Sequence, residues 1–104
     1  MKRPADCMTM QDIRAEIDRL DEDLIGLLAE RAGYIDRASQ VKAEVSLPAR
    51  IPDRVEQVVA NVRAAAQAQG LAPELAETLW RRLIEWSIAR EENHLGANAR
   101  TETK

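Results

Sequence analysis

Apolar residues recur along the first half of the chain at steps of three and four positions. The positions are Met10, Ile13, Ile17, Leu20, Leu24, Leu27, Tyr34, Ala38, Val41 and Val45. These steps place side chains on one face of an α-helix. Thr9 and Asp12 resemble a capping box, and no proline interrupts the pattern before Glu44. The pattern therefore predicts one long helix from Thr9 to Glu44.

Two further helices are predicted after the first, and prolines and glycines set their limits. Pro52 suits the first turn of helix 2, which we expect to end at Gly70. Helix 3 is predicted to begin near Pro73 and to end near Leu95, with Gly96 as the stop. No strand pattern competes with these helices. The sequence thus predicts an all-α fold in one domain, residues 1–104, ordered over about 9–96 and followed by a polar, disordered tail, 97–104.

The length of helix 1 bears on the oligomeric state. About 36 residues give a helix of roughly 54 Å, whereas a compact domain of this size has a radius of gyration near ~13 Å. One subunit cannot bury an apolar face of that length, so we expect an intertwined homodimer in which two copies of helix 1 cover each other. Arg14 lies about 25 Å along the axis from Arg31, which is too far for the two residues of one chain to bind the same small ligand. Across an antiparallel pair of helices, we expect Arg14 to enter the ligand site of the partner chain.

Charge and composition narrow the class of partner. The chain has 104 residues and a net charge of −3 at pH 7, which argues against nucleic acid or an anionic membrane as the main partner. The start, MKRPADCMTM, lacks the apolar core of a signal peptide, and no apolar run approaches a membrane span. We expect a cytoplasmic protein. His94, the only histidine, has no Cys or acidic partner at metal-ligand spacing, so no metal site is expected.

Two cations, Arg31 and Lys42, lie on the apolar side of helix 1. They are eleven residues apart, which places them about 20° apart around the helix and about 16 Å apart along it. Burying a cation is unfavourable unless an anion meets it, and the stripe has no acidic residue of its own. A ligand would supply that anion. The alternative is that the alkyl stems are buried while the charged ends reach water.

Helix 3 carries a hydroxyl and a carboxyl at the end of an apolar column. The column consists of Leu79, Leu83, Ser87 and Glu91 at four-residue steps. A carboxyl held among apolar groups favours its neutral form, and a neutral Glu91 would donate a hydrogen bond at neutral pH. The alternative is that the apolar column ends before Glu91 and that water solvates its carboxylate.

Three segments together resemble the all-helical chorismate mutase family and its close relative, the isochorismate pyruvate lyase of salicylate synthesis. They are DIRAEIDRLDEDLIGLLAERAGYIDRASQVK in helix 1, PxxxxDR at 48–54 and IEWSIARE in helix 3. The resemblance spans roughly Met10 to Glu92. It implies a dimeric enzyme without a cofactor that converts chorismate to prephenate in aromatic amino-acid biosynthesis. The opening KRPADC, followed by DIR, is particularly similar to the lyase branch and to the related mutase-like proteins.

The resemblance also implies roles for individual residues. Arg14 of the partner subunit would bind the side-chain carboxylate of the substrate. Arg31 and Ser87 would hold the ring carboxylate. Lys42 and Glu91 would contact the ether oxygen whose bond to carbon breaks.

The second helix departs from the family pattern. Arg54 matches it and would add positive charge around the substrate carboxylates. Val55, however, stands where typical mutases have an acid that contacts the ring hydroxyl, and Ile51 replaces a second acid. These departures leave pyruvate elimination from isochorismate open, whereas Ser87 is the residue typical of mutases. We rank the mutase first, the lyase second and a helical dimerisation module without catalysis third.

Overall fold

The computed structural model describes the backbone of residues 1–102 and the side chains of residues 1–96. This part of the chain contains no strand. Its α-helices are α1 (Met10–Glu44), α2 (Pro52–Ala68) and α3 (Pro73–Glu102), and a short 3-10 turn covers Pro4–Asp6. The predicted all-α fold with three helices, one of them very long, is thereby confirmed. Over the same residues, none of the helices combines the length and apolarity that crossing a membrane requires.

The start of α1 follows the predicted cap. The Thr9 hydroxyl accepts the backbone N–H of Asp12 at 3.1 Å, and the Asp12 carboxylate accepts the N–H of Met8 at 3.0 Å. The Lys2 ammonium lies 3.2 Å from the same carboxylate. The N–H of Met8, followed by Lys2, holds the pKa of Asp12 below its ordinary value. The first turn of α1 is thus held by side chains that satisfy free backbone donors.

The predicted end of α3 near Leu95 is wrong, because the helix continues to Glu102. Glycine ends a helix readily when it adopts a positive φ, as Gly70 does after α2 with a φ of 79°. Gly96 instead lies inside α3, where a glycine costs about 1 kcal/mol relative to alanine without forcing an end. The predicted polar tail overlaps this last part of α3, and its residues 103–104 lie outside the described residues.

The chain comprises two compact units, residues 1–33 and residues 34–104. In the first unit, the apolar face of α1 is largely uncovered: Ile17, Leu20 and Leu24 are 49%, 51% and 52% exposed. A face of this kind is typical of a surface that another chain covers. The single-domain organisation and the homodimer stay predictions.

The second unit has a small aliphatic core between α2, α3 and the connection that follows α1. Val59, Ile84 and Ile88 are buried there together with Ala49, and Val55 is among the half-buried residues that pack against them. Arg81 of α3 adds ion pairs to Glu56 of α2 at 3.0 Å and to Glu77 at 2.7 Å. Because Ala49 belongs to this core, the connection between α1 and α2 is fixed against α3.

Candidate functional site

A lysine and a glutamate meet in the interior of the second unit. The Lys42 Nζ donates to Oε2 of Glu91 at 3.0 Å and to the backbone carbonyl of Ala49 at 2.8 Å. The side chain of Lys42 is 19% exposed and that of Glu91 only 4%. The structure therefore brings together α1, α3 and the connection after α1 at one buried charged pair.

The chain reaches this arrangement through the turn that ends α1. Ser46 adopts a left-handed conformation with a φ of 60°, and the N–H of Leu47 bonds the carbonyl of Lys42 at 2.9 Å. A bond of this span across a left-handed residue is the Schellman motif of a helix C-terminus. The turn reverses the chain, and the buried Ala49 then presents its carbonyl to the Lys42 side chain.

The anion that the sequence analysis sought for Lys42 is supplied by the protein itself. The apolar stripe of α1 carries no acid, but Glu91 comes from α3, 49 residues further along the chain. Expecting a ligand to provide the counter-charge of Lys42 was therefore wrong. The Glu91 carboxyl accepts a hydrogen bond from the ammonium, and its donation to a ligand stays a prediction.

Ser87 lies one turn before Glu91 on the same side of α3. It is buried, with 4% exposure, and its Oγ donates to the carbonyl of Leu83 at 2.9 Å. The two polar residues at the end of the predicted column on α3 are therefore both buried. The alternative, in which water solvates the Glu91 carboxylate, was wrong.

On α2, the two predicted residues lie in different settings. Val55 is half-buried against the aliphatic core, and so it presents no polar side chain to a ligand. Arg54 is exposed and donates to the side-chain oxygen of Gln57 at 2.7 Å. Because the Arg54 guanidinium is exposed, it can add positive charge only at the edge of a site.

Arg14 and Arg31 belong to the first unit. Arg14 is exposed on α1, and Arg31 is half-buried. Their convergence with Lys42, either within one chain or across a dimer, stays a prediction.

A second polar cluster between α1 and α3 was missed by the sequence analysis. Asp36 accepts two hydrogen bonds from the Arg90 guanidinium, at 2.5 and 2.9 Å, and Ser39 Oγ lies 3.1 Å from His94 Nδ1. The Arg90 hydrogen bonds and charge, and the charge of His94, hold the pKa of Asp36 below its ordinary value. Ser39 precedes Lys42 by three residues, so a search for polar residues one turn from Lys42 would have found it.

The buried pair has a definite chemical capacity. The Lys42 ammonium, shielded from water, can stabilise negative charge that develops on a nearby ligand oxygen, and a carboxyl adds to this effect only when it is neutral and donates. Neither group needs to form a covalent bond for this effect. The site is therefore suited to a reaction that proceeds through charge redistribution within one bound molecule.

Comparisons with known proteins give the chain a family. The family described as chorismate mutase type II matches residues 13–92. Isochorismate pyruvate lyase from Pseudomonas aeruginosa is 38% identical over 92 residues, which are 88% of this chain and 89% of that protein. T-protein from Enterobacter agglomerans is 34% identical over 79 residues, 76% of this chain but only 21% of the relative. Chorismate mutase from Methanocaldococcus jannaschii is 22% identical over 86 residues, 83% of this chain and 87% of that protein.

Proposed function

We propose that this chain, which belongs to the chorismate mutase type II family, catalyses the rearrangement of chorismate to prephenate in aromatic amino-acid biosynthesis. The observation that carries the proposal is the buried contact between Lys42 and Glu91 at 3.0 Å. In this reaction one ether C–O bond breaks and one C–C bond forms within the same molecule. No nucleophile or general base is needed. The enzyme must hold a reactive conformation and place positive charge or a hydrogen-bond donor at the ether oxygen.

Lys42 provides that charge in the proposed mechanism. Its ammonium would exchange part of its contact with Glu91 for the ether oxygen, which becomes negative as the C–O bond breaks. The Ala49 carbonyl retains its hydrogen bond to the ammonium and so limits where Nζ can move. Because the charge is shielded from water, its effect on the transition state is larger than it would be at the surface.

Glu91 contributes in its neutral form. Only a neutral carboxyl has a hydrogen to donate, and an ether oxygen can only accept one. The protonated Glu91 then donates to the same ether oxygen. This role explains how a glutamate serves at a position where many members of the family have glutamine.

The remaining predicted residues bind the two substrate carboxylates. Arg31 and Ser87 hold the ring carboxylate, and Arg54 adds positive charge at the edge of the site. Arg14 of the partner subunit binds the side-chain carboxylate. This arrangement requires a homodimer, which the exposed apolar face of α1 supports.

A second candidate function is the elimination of pyruvate from isochorismate to give salicylate, as in siderophore synthesis. The Pseudomonas lyase supports it, because the similarity covers 89% of that protein at 38% identity. The apolar Val55 also favours it, since chorismate has its ring hydroxyl where typical mutases offer an acid, whereas isochorismate carries the hydroxyl elsewhere. The reaction breaks the same ether bond, so Lys42 and Glu91 keep their roles.

Two assays of the purified 104-residue chain test these functions. The first follows the loss of chorismate and the appearance of prephenate, and the second follows salicylate and pyruvate formed from isochorismate. We expect turnover of chorismate. Turnover of isochorismate with negligible chorismate activity would replace the mutase by the lyase. Turnover of neither would leave the helical dimerisation module.

A further inference from the structure

A second contact between α1 and α3 lies one helical turn from the Lys42–Glu91 pair. Ser39 precedes Lys42 by three residues, and His94 follows Glu91 by three residues. Ser39 Oγ lies 3.1 Å from His94 Nδ1. Because α1 and α3 run antiparallel here, three residues back along α1 correspond to three residues forward along α3. The two pairs are therefore successive contacts between the same two helices, about one helical turn apart.

The direction of the Ser39–His94 hydrogen bond follows from the other bond of the serine. The Ser39 hydroxyl has a single hydrogen, and it donates this hydrogen to the carbonyl of Asp36 at 2.7 Å. The imidazole must then be the donor, through Nδ1–H, and Ser39 Oγ the acceptor. This geometry suits both the neutral Nδ1–H tautomer and the imidazolium. Since Ser39 is only 1% exposed, water does not compete for the bond.

Asp36 connects the contact between Ser39 and His94 to Arg90, the residue before Glu91. Its carboxylate accepts two hydrogen bonds from Arg90, and it lies 3.8 Å from His94 Nδ1. The segment of α3 that carries Glu91 is thus held to α1 on both sides, by Arg90 before it and by His94 after it. A shift of one helix along the other would break these bonds together with the contact between Lys42 and Glu91.

We propose that Ser39 and His94 are positioning residues that set the register of α1 against α3 and so hold Lys42 against Glu91. The proposal rests on the proposed function for its catalytic consequence. Neither residue touches the substrate. They act through Lys42 Nζ and the Glu91 carboxyl, whose separation depends on how far one helix lies along the other.

Two replacements of His94 separate this role from a general effect of losing the imidazole. The amide nitrogen of asparagine occupies the place of Nδ1, whereas that of glutamine lies one bond further out, at the place of Nε2. His94 is 44% exposed at its side chain, so both variants are expected to fold. His94→Asn can still donate to Ser39 and should keep kcat near the wild-type value. His94→Gln cannot, and kcat should fall roughly tenfold to a hundredfold with KM little changed.

The serine gives the matching control. Ser39→Ala removes the acceptor, so its kcat should fall as in His94→Gln, and adding His94→Asn to it should restore nothing. Equal activity of the asparagine and glutamine variants would overturn the proposal. So would a rise in KM at unchanged kcat, because that result would place the two residues in substrate binding.

A measurement without substrate keeps the inference independent of the proposed function. Lysine occurs only at positions 2, 42 and 104, so the ¹⁵Nζ resonance of the Lys42 ammonium can be assigned by a single Lys42→Arg variant. We expect its hydrogens to exchange slowly in the wild type and in His94→Asn, and faster in His94→Gln and Ser39→Ala. Identical exchange in all four proteins would contradict the positioning role. Absence of turnover with this exchange pattern intact would contradict only the proposed function.

Discussion

At the scale of single residues, the pair of Lys42 and Glu91 shows what the sequence could and could not predict. The helical spacing predicted that each side chain faces the interior, because a position in a 3/4 pattern fixes the direction in which a side chain points. It could not predict that they contact each other. The two residues are 49 positions apart, and their contact depends on how α1 packs against α3. From the sequence, the anion beside Lys42 was therefore expected to be a ligand, whereas it is Glu91 of the same chain.

Two replacements of Glu91 test its role as a hydrogen-bond donor to the ether oxygen. Glu91→Gln keeps an N–H donor at this position and should retain activity. Glu91→Ala removes the donor and should lose activity, by roughly 3 kcal/mol in transition-state stabilisation, as expected for one preorganised donor.

The measurement is kcat/KM for chorismate with the wild type and the two variants under the same conditions. A glutamine variant as inactive as the alanine variant would exclude donation by Glu91.

At the scale of secondary-structure elements, the helix starts were more predictable than the helix ends. Prolines and a threonine cap mark the starts through local chemistry, and the observed starts at Met10, Pro52 and Pro73 follow these marks. The end of α3 was predicted wrongly because a glycine permits a left-handed residue without requiring one. Whether Gly96 adopts a helical or a left-handed conformation depends on the residues that follow it, and the pattern of apolar positions does not constrain those residues.

The turn that ends α1 gives a prediction about stability. Ser46 has a φ of 60°, a conformation that a residue with a Cβ adopts at a cost of roughly 1 kcal/mol and that glycine adopts freely. Ser46→Gly should therefore raise the free energy of unfolding by up to about 1 kcal/mol. Urea unfolding followed by circular dichroism provides the measurement, with Ser46→Ala as a control expected to bring no gain. A destabilised glycine variant would contradict a left-handed Ser46.

Acid unfolding tests the contact between α1 and α3 through Asp36. The guanidinium of Arg90 and the charge of His94 hold the pKa of Asp36 below its ordinary value of 3.8. A carboxyl whose pKa is lower in the folded state stabilises the fold fully above this ordinary value, and the contribution is lost as the pH falls through the folded value. Asp36→Asn should therefore lower Tm at pH 7 and reduce the dependence of Tm on pH below about 4.

Thermal unfolding between about pH 2.5 and pH 7, a window that covers the carboxyl titration, measures this effect. Asp18→Asn, an exposed position on the same helix, serves as the control and should keep the wild-type slope. Ion pairs of Glu56, Glu77 and Glu85 with arginines, which lower the pKa of each glutamate, leave part of the slope in every variant. An asparagine variant with an unchanged Tm at pH 7 would show that the Asp36 contact adds nothing to stability.

At the scale of the whole molecule, the sequence predicted the fold class, whereas the partner that covers the apolar face of α1 stays a prediction. The 35 residues of α1 span about 52 Å, and its apolar residues Ile17, Leu20 and Leu24 are about half exposed. We expect an obligate homodimer that covers this face. Sedimentation should find only a dimer at micromolar concentration, whereas a folded monomer would contradict both the dimer and the cross-subunit role of Arg14.

Mixed dimers test whether Arg14 acts in the partner's site. Arg14→Ala and Lys42→Ala should each be nearly inactive as homodimers. In a mixed dimer, one site combines the intact Lys42 of one subunit with the intact Arg14 of the other. If the two variants are refolded together and associate at random, about half of the dimers are mixed, and one of the two sites in each mixed dimer works. The mixture should therefore recover about a quarter of wild-type activity. No restoration would place Arg14 in the site of its own chain or outside both sites.

In the proposed mechanism, Lys42, held by Glu91, stabilises the oxygen of the breaking ether bond. The most direct measurement is kcat/KM for conversion of chorismate to prephenate by Lys42→Gln, which removes the charge and leaves a shorter, neutral polar side chain. Lys2→Ala, an exposed lysine, serves as the control. We predict a loss of at least about a hundredfold for Lys42→Gln, with helicity and dimerisation unchanged, and wild-type activity for Lys2→Ala. A Lys42→Gln variant that turns over chorismate at nearly the wild-type rate would contradict the account.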